Sequence, residues 1–177
     1  MAQVLNSVFA KLANPRTRPE VKVEGLVHLN VKTANILFAV AEAVLGEGFL
    51  KKCPQFIETV DDYLNYQRRA QREDFFDALM LAETPAFVFL VVGKLKGFSH
   101  LSVKERREVL EKLRSSDREI RRNIYVGFVN VSAATYYASD LTWPDIGYKG
   151  VSVDHPEILS NPPPIAWRPD DPRPVEP

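Results

Sequence analysis

A single cysteine in 177 residues is the most restrictive scarcity in this sequence. Cys53 has no second thiol, so an internal disulfide is excluded, and so are cysteine-rich metal centres and Cys-x-x-Cys-His haem attachment. Glycine is also scarce, at 8 residues. No phosphate-cradling loop, Gly-x-Ser-x-Gly elbow or dinucleotide fingerprint is formed from them. Long apolar runs are missing as well. The longest, Ala86 to Val92, is far below the roughly 18 residues that span a bilayer. Net charge is zero, with a pI near 6.8, so no long-range field favours nucleic acid or anionic lipid. Val4 to Leu12 is mildly apolar, but Asn6, Ser7 and Lys11 interrupt it and no cleavage pattern follows. Thr17 separates Arg16 from Arg18, so there is no twin-arginine pair. With neither signal visible, the expected location is cytoplasmic.

What is present is ordinary globular material. Hydrophobic residues make up 45% and charged residues 26%, values that suit one domain able to bury about 70% of its unfolded surface. Residues 1–32 read as an irregular arm, with Pro15, Pro19 and the alternating Val21-Lys22-Val23-Glu24 suggesting an extended piece or a short strand. A helix is expected from Thr33 as N-cap, carrying Ile36, Leu37, Val40, Ala41, Val44 and Leu45 to Gly46 and Gly48. A second follows Pro54 with Phe56, Ile57, Val60, Tyr63 and Leu64 on one face, and the charged run Gln67 to Asp74 is its exposed end or a bend. Phe75 to Leu81 is apolar nearly all round, which predicts a buried helix. Thr84-Pro85 then reads as a cap with proline at the first helical position. The following run, Ala86 to Val92, fits a helix or a buried strand, and helix is preferred because no partner strand is evident.

Ser102 and Glu105 carry a capping-box signature. The helix behind it bears Val109, Leu110 and Leu113, with Glu108 and Lys112 four apart on its outer side. A last helix begins near Asp117 with a core stripe of Ile120, Ile124, Phe128, Val131 and Thr135. Helices at this spacing, with no repeat and no convincing sheet, predict an all-α bundle over residues 33–150. Residues 151–177 change character. Eight of the 13 prolines lie there, and proline fixes φ and lacks an N–H, so an extended or polyproline-like tail is expected. It also holds Ile158, Leu159, Ile165 and Trp167, which a mere spacer does not need.

Candidate chemistry is thin. His28, His100 and His155 are far apart in sequence and lack the neighbouring ligands of a metal site, so structural or exposed roles are expected. Asp61 and Asp62 would project about 100° apart on a helix and could not share a substrate, which makes a solvated face the better reading. Cys53 precedes Pro54 at a helix start, where a thiolate is favoured. No histidine base is nearby, so a buried, inert thiol is the expectation. Arg106, Arg107, Arg114, Arg118, Arg121 and Arg122 form a basic row interleaved with carboxylates, read as a solvated face or a site for an acidic protein partner. With no aromatics interleaved for stacking, nucleic acid is disfavoured. No apparatus for catalysis by this chain alone is visible.

The segment from Asp117 to Gly150 organises the rest. Its helical pattern becomes aromatic at Tyr136-Tyr137 and breaks into the compact turn Trp143-Pro144-Asp145-Ile146-Gly147-Tyr148. Such a turn either terminates a helix with Trp143 packed on the bundle or presents an aromatic pair to a partner. Gly97-Phe98-Ser99-His100-Leu101-Ser102, then Glu105-Arg106-Arg107-Glu108-Val109-Leu110, then Tyr136-Tyr137 with Trp143, Ile146-Gly147-Tyr148 and Gly150, resembles the gluconate 2-dehydrogenase subunit 3 family over about residues 33–150. A similar region is fused to the flavoenzyme near the N-termini of long-chain alcohol oxidases.

That resemblance implies a non-catalytic small subunit, partnered as a heterodimer with a large flavoprotein of the glucose–methanol–choline (GMC) type. FAD and the histidine chemistry that oxidises an alcohol or sugar hydroxyl would belong to the large subunit, and this chain would carry no cofactor or metal of its own. Tyr137, Trp143, Ile146, Gly147, Tyr148, Gly150 and Trp167 are the expected interface residues, the tail acting as a strap on the partner. Two departures stand out: the twin-arginine signal common in the family is missing, and Lys149 occupies a position where proline is usual. The competing expectation is a free-standing helical scaffold or regulator that binds another protein through the arginine row and the Pro-rich tail.

Overall fold

The computed structural model describes residues 15–148. The expectations for His155, Gly150, Trp167 and the extended tail fall outside these residues. Within them the chain is all-α, with six α-helices: α1 (Val31–Leu45), α2 (Phe56–Asn65), α3 (Arg69–Glu83), α4 (Pro85–Val92), α5 (Val103–Arg114) and α6 (Glu119–Ala138). Three 3₁₀ turns punctuate them at Phe49–Lys51, Phe98–His100 and Asp140–Ile146.

The hub is α1, which packs on α2, α3, α5 and α6. Its sequence is apolar on every side, and Ala34, Ile36, Leu37, Ala39, Val40 and Ala41 are fully enclosed. Each large aliphatic buried in this way contributes roughly 1.5–3 kcal/mol, while the alanines let neighbouring helices approach closely. Asn30, not Thr33, caps the helix. Asn30 Oδ1 accepts from Lys32 N (2.9 Å) and Thr33 N (3.1 Å), and Thr33 Oγ1 accepts from Asn30 N (2.9 Å). Thr33 is thus the third helical residue of a reciprocal capping box rather than the cap itself.

The described part of the arm, residues 15–30, is irregular and forms no strand. Two of its N–H groups close local turns, Val21 N to Arg18 O and Leu26 N to Val23 O, and side chains take others: Arg16 N donates to Ser99 Oγ (2.7 Å) and Arg18 N to Asn35 Oδ1 (2.7 Å). Asp61 then collects three more, from Val27 N (2.7 Å), His28 N (2.9 Å) and Leu29 N (2.7 Å). This corrects the reading of Asp61 as a solvated carboxylate. It is buried, whereas its neighbour Asp62 is exposed. Burial pushes its pKa up, but the three N–H donors outweigh that and hold the carboxyl below its ordinary value.

Two further charges lie inside. Arg106, expected on a solvated row, is buried, its Nη1 2.8 Å from Glu42 and donating to Ala39 O at 2.8 Å, its Nε donating to Leu101 O at 3.0 Å. Arg18 adds a second guanidinium to Glu42 at 3.0 Å and sits 4.8 Å above the Phe38 ring. Glu83, at the end of α3, accepts from Ser99 N and Ser99 Oγ, both at 2.8 Å. Burial raises its pKa against those hydrogen bonds. Gly97 is required beside it, because a Cβ there would stand 2.2 Å from Glu83 Oε1 and 2.7 Å from the Glu83 carbonyl oxygen.

The apolar segments correct the sequence reading in the opposite direction. Helix α3 begins at Arg69, so most of the charged run forms its first turns rather than the end of α2. From Phe75 to Leu81 only Leu79 is fully buried, and its neighbours are partly covered. Helix α4 leaves α3 at a 72° bend across Thr84, with Pro85 at its first position. Of its residues Val88 alone is buried, while Phe89 and Leu90 are exposed. No single described helix is long and apolar enough to cross a membrane. The capping box at Ser102 and Glu105 is formed, and Lys94 joins it, holding the Glu105 carboxyl down at about 2. The stripe on α6 starts one turn later than its periodicity suggests, at Ile124, and Ile120 is 66% exposed.

Candidate partner interface

The C-terminal end of α6 and the turn after it form one tightly braced unit. Thr142 is fully buried, with Oγ1 2.7 Å from Ser139 O and 3.0 Å from Tyr136 O, so its hydroxyl reinforces the bonds that Thr142 N and Ser139 N already make to those carbonyls. Ser139 Oγ donates to Lys52 O at 2.7 Å, and Lys52 pairs with Asp145, which raises the lysine pKa. Trp143 Nε1 reaches back to Tyr137 O at 3.1 Å. Gly147 closes the turn at φ +67°, a left-handed geometry glycine adopts without strain.

This bracing lays out a rigid aromatic edge. The Trp143 and Tyr148 rings meet edge to face, with centroids 5.0 Å apart and planes at 79°, and Tyr136 and Tyr137 form a second such pair at 5.3 Å. Trp143 is half-buried, while Tyr137, Ile146 and Tyr148 are exposed. Five of the sequence-derived candidates, Tyr137, Trp143, Ile146, Gly147 and Tyr148, are therefore brought together. Leu141 joins them, 56% exposed, although sequence reasoning passed over it. A lone leucine between polar neighbours gave no periodic signal, and only the tight turn shows which way it faces.

Two concavities adjoin α6. One, of about 620 Å³, lies under the turn and is lined by Cys53, Thr59, Thr135, Leu141 and Trp143. Cys53 is buried there, its Sγ 3.8 Å from Thr135 O, and burial pushes the thiol pKa up, with Glu58 adding to the effect. Such a thiol is a poor nucleophile at neutral pH. The other is a groove of about 640 Å³ between α3 and the first half of α6. Apolar side chains dominate it, Asp74 and Asp77 stand among its lining residues, and no lysine or arginine does.

The two described histidines, His28 and His100, do not converge. His28 Nε2 meets Asn65 Oδ1 at 2.8 Å, and His100 Nε2 lies 4.0 Å from Glu83. Among the described residues no group of three or more His, Cys, Asp or Glu is placed to hold a metal ion. The arginine row is largely spoken for within the chain. Beyond buried Arg106, Arg107 donates to Ala43 O (3.1 Å), Arg114 pairs with Glu111 (2.8 Å), and Arg122 donates to Ser116 O (2.8 Å). Comparison of the chain with protein-family models, curated proteins and solved structures returns no match.

Proposed function

We propose that this chain is a non-catalytic small subunit that binds and stabilises a large FAD-dependent, GMC-type alcohol or sugar dehydrogenase subunit. The observation that carries the reading is the braced aromatic edge at Tyr137, Trp143, Ile146 and Tyr148. Tryptophan and tyrosine held rigid at the surface lose little entropy on docking and are enriched among binding hot spots. These are also the residues on which the resemblance to the gluconate 2-dehydrogenase subunit 3 family rests most specifically.

A shallow concavity at Glu47, Val103, Lys104 and Arg107 offers cations, but the two beside α6 do not, in keeping with a flavin held by the partner. A dinucleotide brings a pyrophosphate, which needs backbone N–H groups or cations around it. The α3–α6 groove offers Asp74 and Asp77 and no cation, and the smaller concavity is lined by neutral side chains except for Asp140. Neither fits FAD. The scaffold reading draws less support, because several of the arginines it relies on are engaged with the chain's own carbonyls and carboxylates.

The test is a pull-down of the tagged chain from its native cells, with an absorbance spectrum of the eluate. The expected result is a co-eluting chain of several hundred residues with visible flavin bands. A colourless, unaccompanied monomer would overturn the proposal. Deleting residues 151–177 is expected to weaken the association while leaving helical content intact, and unchanged co-purification would remove the strap from the proposal.

A further inference from the structure

The concavity under the aromatic turn, of about 620 Å³, gathers hydrogen-bond acceptors and has no lysine or arginine in its lining. We propose that it receives an arginine side chain of the protein partner, whose guanidinium pairs with Asp140, bonds Thr135 and stacks on Trp143. The inference rests on the subunit reading for the protein that carries the arginine, while the site itself is read from this chain alone.

Three observations lead to that chemistry. The first is an unused hydroxyl in the wall. Thr135 is 5% exposed and lines the concavity, and its Oγ1 has no hydrogen-bond partner among the described residues. A threonine on a helix commonly bonds the carbonyl one turn back. Here it does not, and the hydroxyl is not sealed from solvent, so it can serve a group that enters. The Thr135 carbonyl is in a similar state. Ser139 N, the donor that would continue the helix, goes to Tyr136 O at 3.2 Å, and Thr135 O accepts only from the Cys53 thiol at 3.8 Å. A thiol is a weak donor, so this oxygen keeps most of its accepting capacity.

The second observation is charge. Thr135, Ala138 and Ser139 bring the end of the 20-residue α6 to the concavity, and a helix C-terminus carries a partial negative charge. Asp140 adds a full one, and no ion pair or hydrogen bond among the described residues engages its carboxylate. Lys52, beside Cys53 in the chain, pairs with Asp145 instead. A cation is the complement of such a wall. Asp140 is the only carboxylate in the lining, and no metal-holding group of side chains exists among the described residues, so an organic cation fits better than a metal ion. The third observation is the apolar part of the lining, from Pro54, Leu141 and Trp143. An ammonium is strongly hydrated and gains little there, whereas a guanidinium stacks on an indole and still spreads its N–H donors among separate acceptors. Trp143 and Leu141 also belong to the aromatic edge, so the concavity continues the proposed interface inward, where arginine is favoured as an anchor.

The test titrates the full chain with N-acetyl-arginine amide and follows backbone and indole N–H shifts by NMR. N-acetyl-citrulline amide, which has the same shape without the charge, and N-acetyl-lysine amide are the comparison probes. The expected result is saturable shifts at Thr135, Ser139, Asp140 and the Trp143 indole with the arginine probe. Asp140→Asn should weaken that binding about fivefold and Thr135→Val about threefold. Glu119→Gln, at the far end of α6, removes the same charge and should leave it unchanged. No shifts, equal shifts from citrulline, stronger shifts from lysine, or arginine shifts confined to other residues would each overturn the proposal. In the pull-down, Asp140→Asn should lower the yield of co-eluting flavoprotein at an unchanged melting temperature, and an unchanged yield would overturn the anchor. Absence of flavoprotein from the unmodified chain's eluate would overturn the subunit reading alone, because the shift titration decides the site without it.

Discussion

The arm-facing side of α1 and the outer flanks of α4 and α6 invert each other's chemistry. Around α1 the molecule hides charge: Asp61, Glu83 and Arg106 are each nearly inaccessible. On α4, on α6 and in the turn after it, the molecule displays Phe89, Leu90, Ile120, Ile146 and Tyr148 to solvent. The buried charges are not failures of folding, because each meets partners fixed by a distant part of the chain. The exposed apolar groups lie along α4, at the start of α6 and on the turn that follows it. Polar groups inside stabilise one particular arrangement of arm and bundle, while the apolar groups outside add little to it.

Mutations that remove the inner charges should separate the two regions most sharply. Arg106→Ala strips Glu42 of its closest cation and removes the side-chain donor to the Ala39 and Leu101 carbonyls inside the core. A loss of about 3–5 kcal/mol is expected, read as a lower urea midpoint with an unchanged slope. Asp61→Ala should cost less, about 2 kcal/mol, because of the three N–H groups it serves only that of Leu29 belongs to a buried residue. Faster amide exchange at Val27, His28 and Leu29 should accompany it, since no other acceptor is at hand.

The two buried carboxylates should also respond to pH with opposite signs. Asp61 has a depressed folded pKa, so its contribution is complete above the unfolded value near 3.9 and disappears as pH falls through the lower folded value. Glu83 has a raised folded pKa. Its contribution is therefore complete below the unfolded value near 4.3 and is lost as pH rises through the folded one. Relative to the wild type, Glu83→Gln should thus become progressively less unfavourable as pH is raised from about 4 toward neutrality. Denaturant titrations of both proteins across that range check the sign. The smallest effects belong to the outer region: Leu90→Ser and Tyr148→Ser should change stability by no more than about 0.5 kcal/mol. If the proposed flavoprotein partner docks on this edge, Tyr148→Ser should nonetheless weaken its capture, a difference readable by comparing melting temperature with co-purification yield.

The helical architecture was legible because it rests on local signals. The capping box at Ser102 and Glu105, proline after Thr84, and the apolar spacing of Phe56, Ile57, Val60 and Leu64 all lie within a few residues of what they determine. The aromatic turn was legible for the same reason, since Trp143, Gly147 and Tyr148 are neighbours in sequence. What sequence reading misplaced depends on distance along the chain. Asp61 is buried because the arm, some 33 residues away, brings N–H groups to it. Arg106 is buried because Ala39 and Glu42 lie across the interface from it, and Glu83, which sequence reading passed over, is buried where Gly97 leaves room for it. No periodicity within a helix encodes these meetings. The overestimated burial of Phe75 to Leu81 and of Ile120 has the converse cause, for an apolar stripe records that a face is suited to contact and not which neighbour supplies it.

The edge-to-face contact between Trp143 and Tyr148 also gives the protein an optical reporter of its own. The sequence has two tryptophans, and the second, Trp167, belongs to the tail. In a Trp167→Phe chain all indole emission would originate beside the exposed Tyr148 ring, with Tyr137 O holding the indole N–H. Tyrosine excitation at that spacing passes efficiently to tryptophan, so the emission wavelength and yield would follow the solvent exposure of this edge without any attached dye.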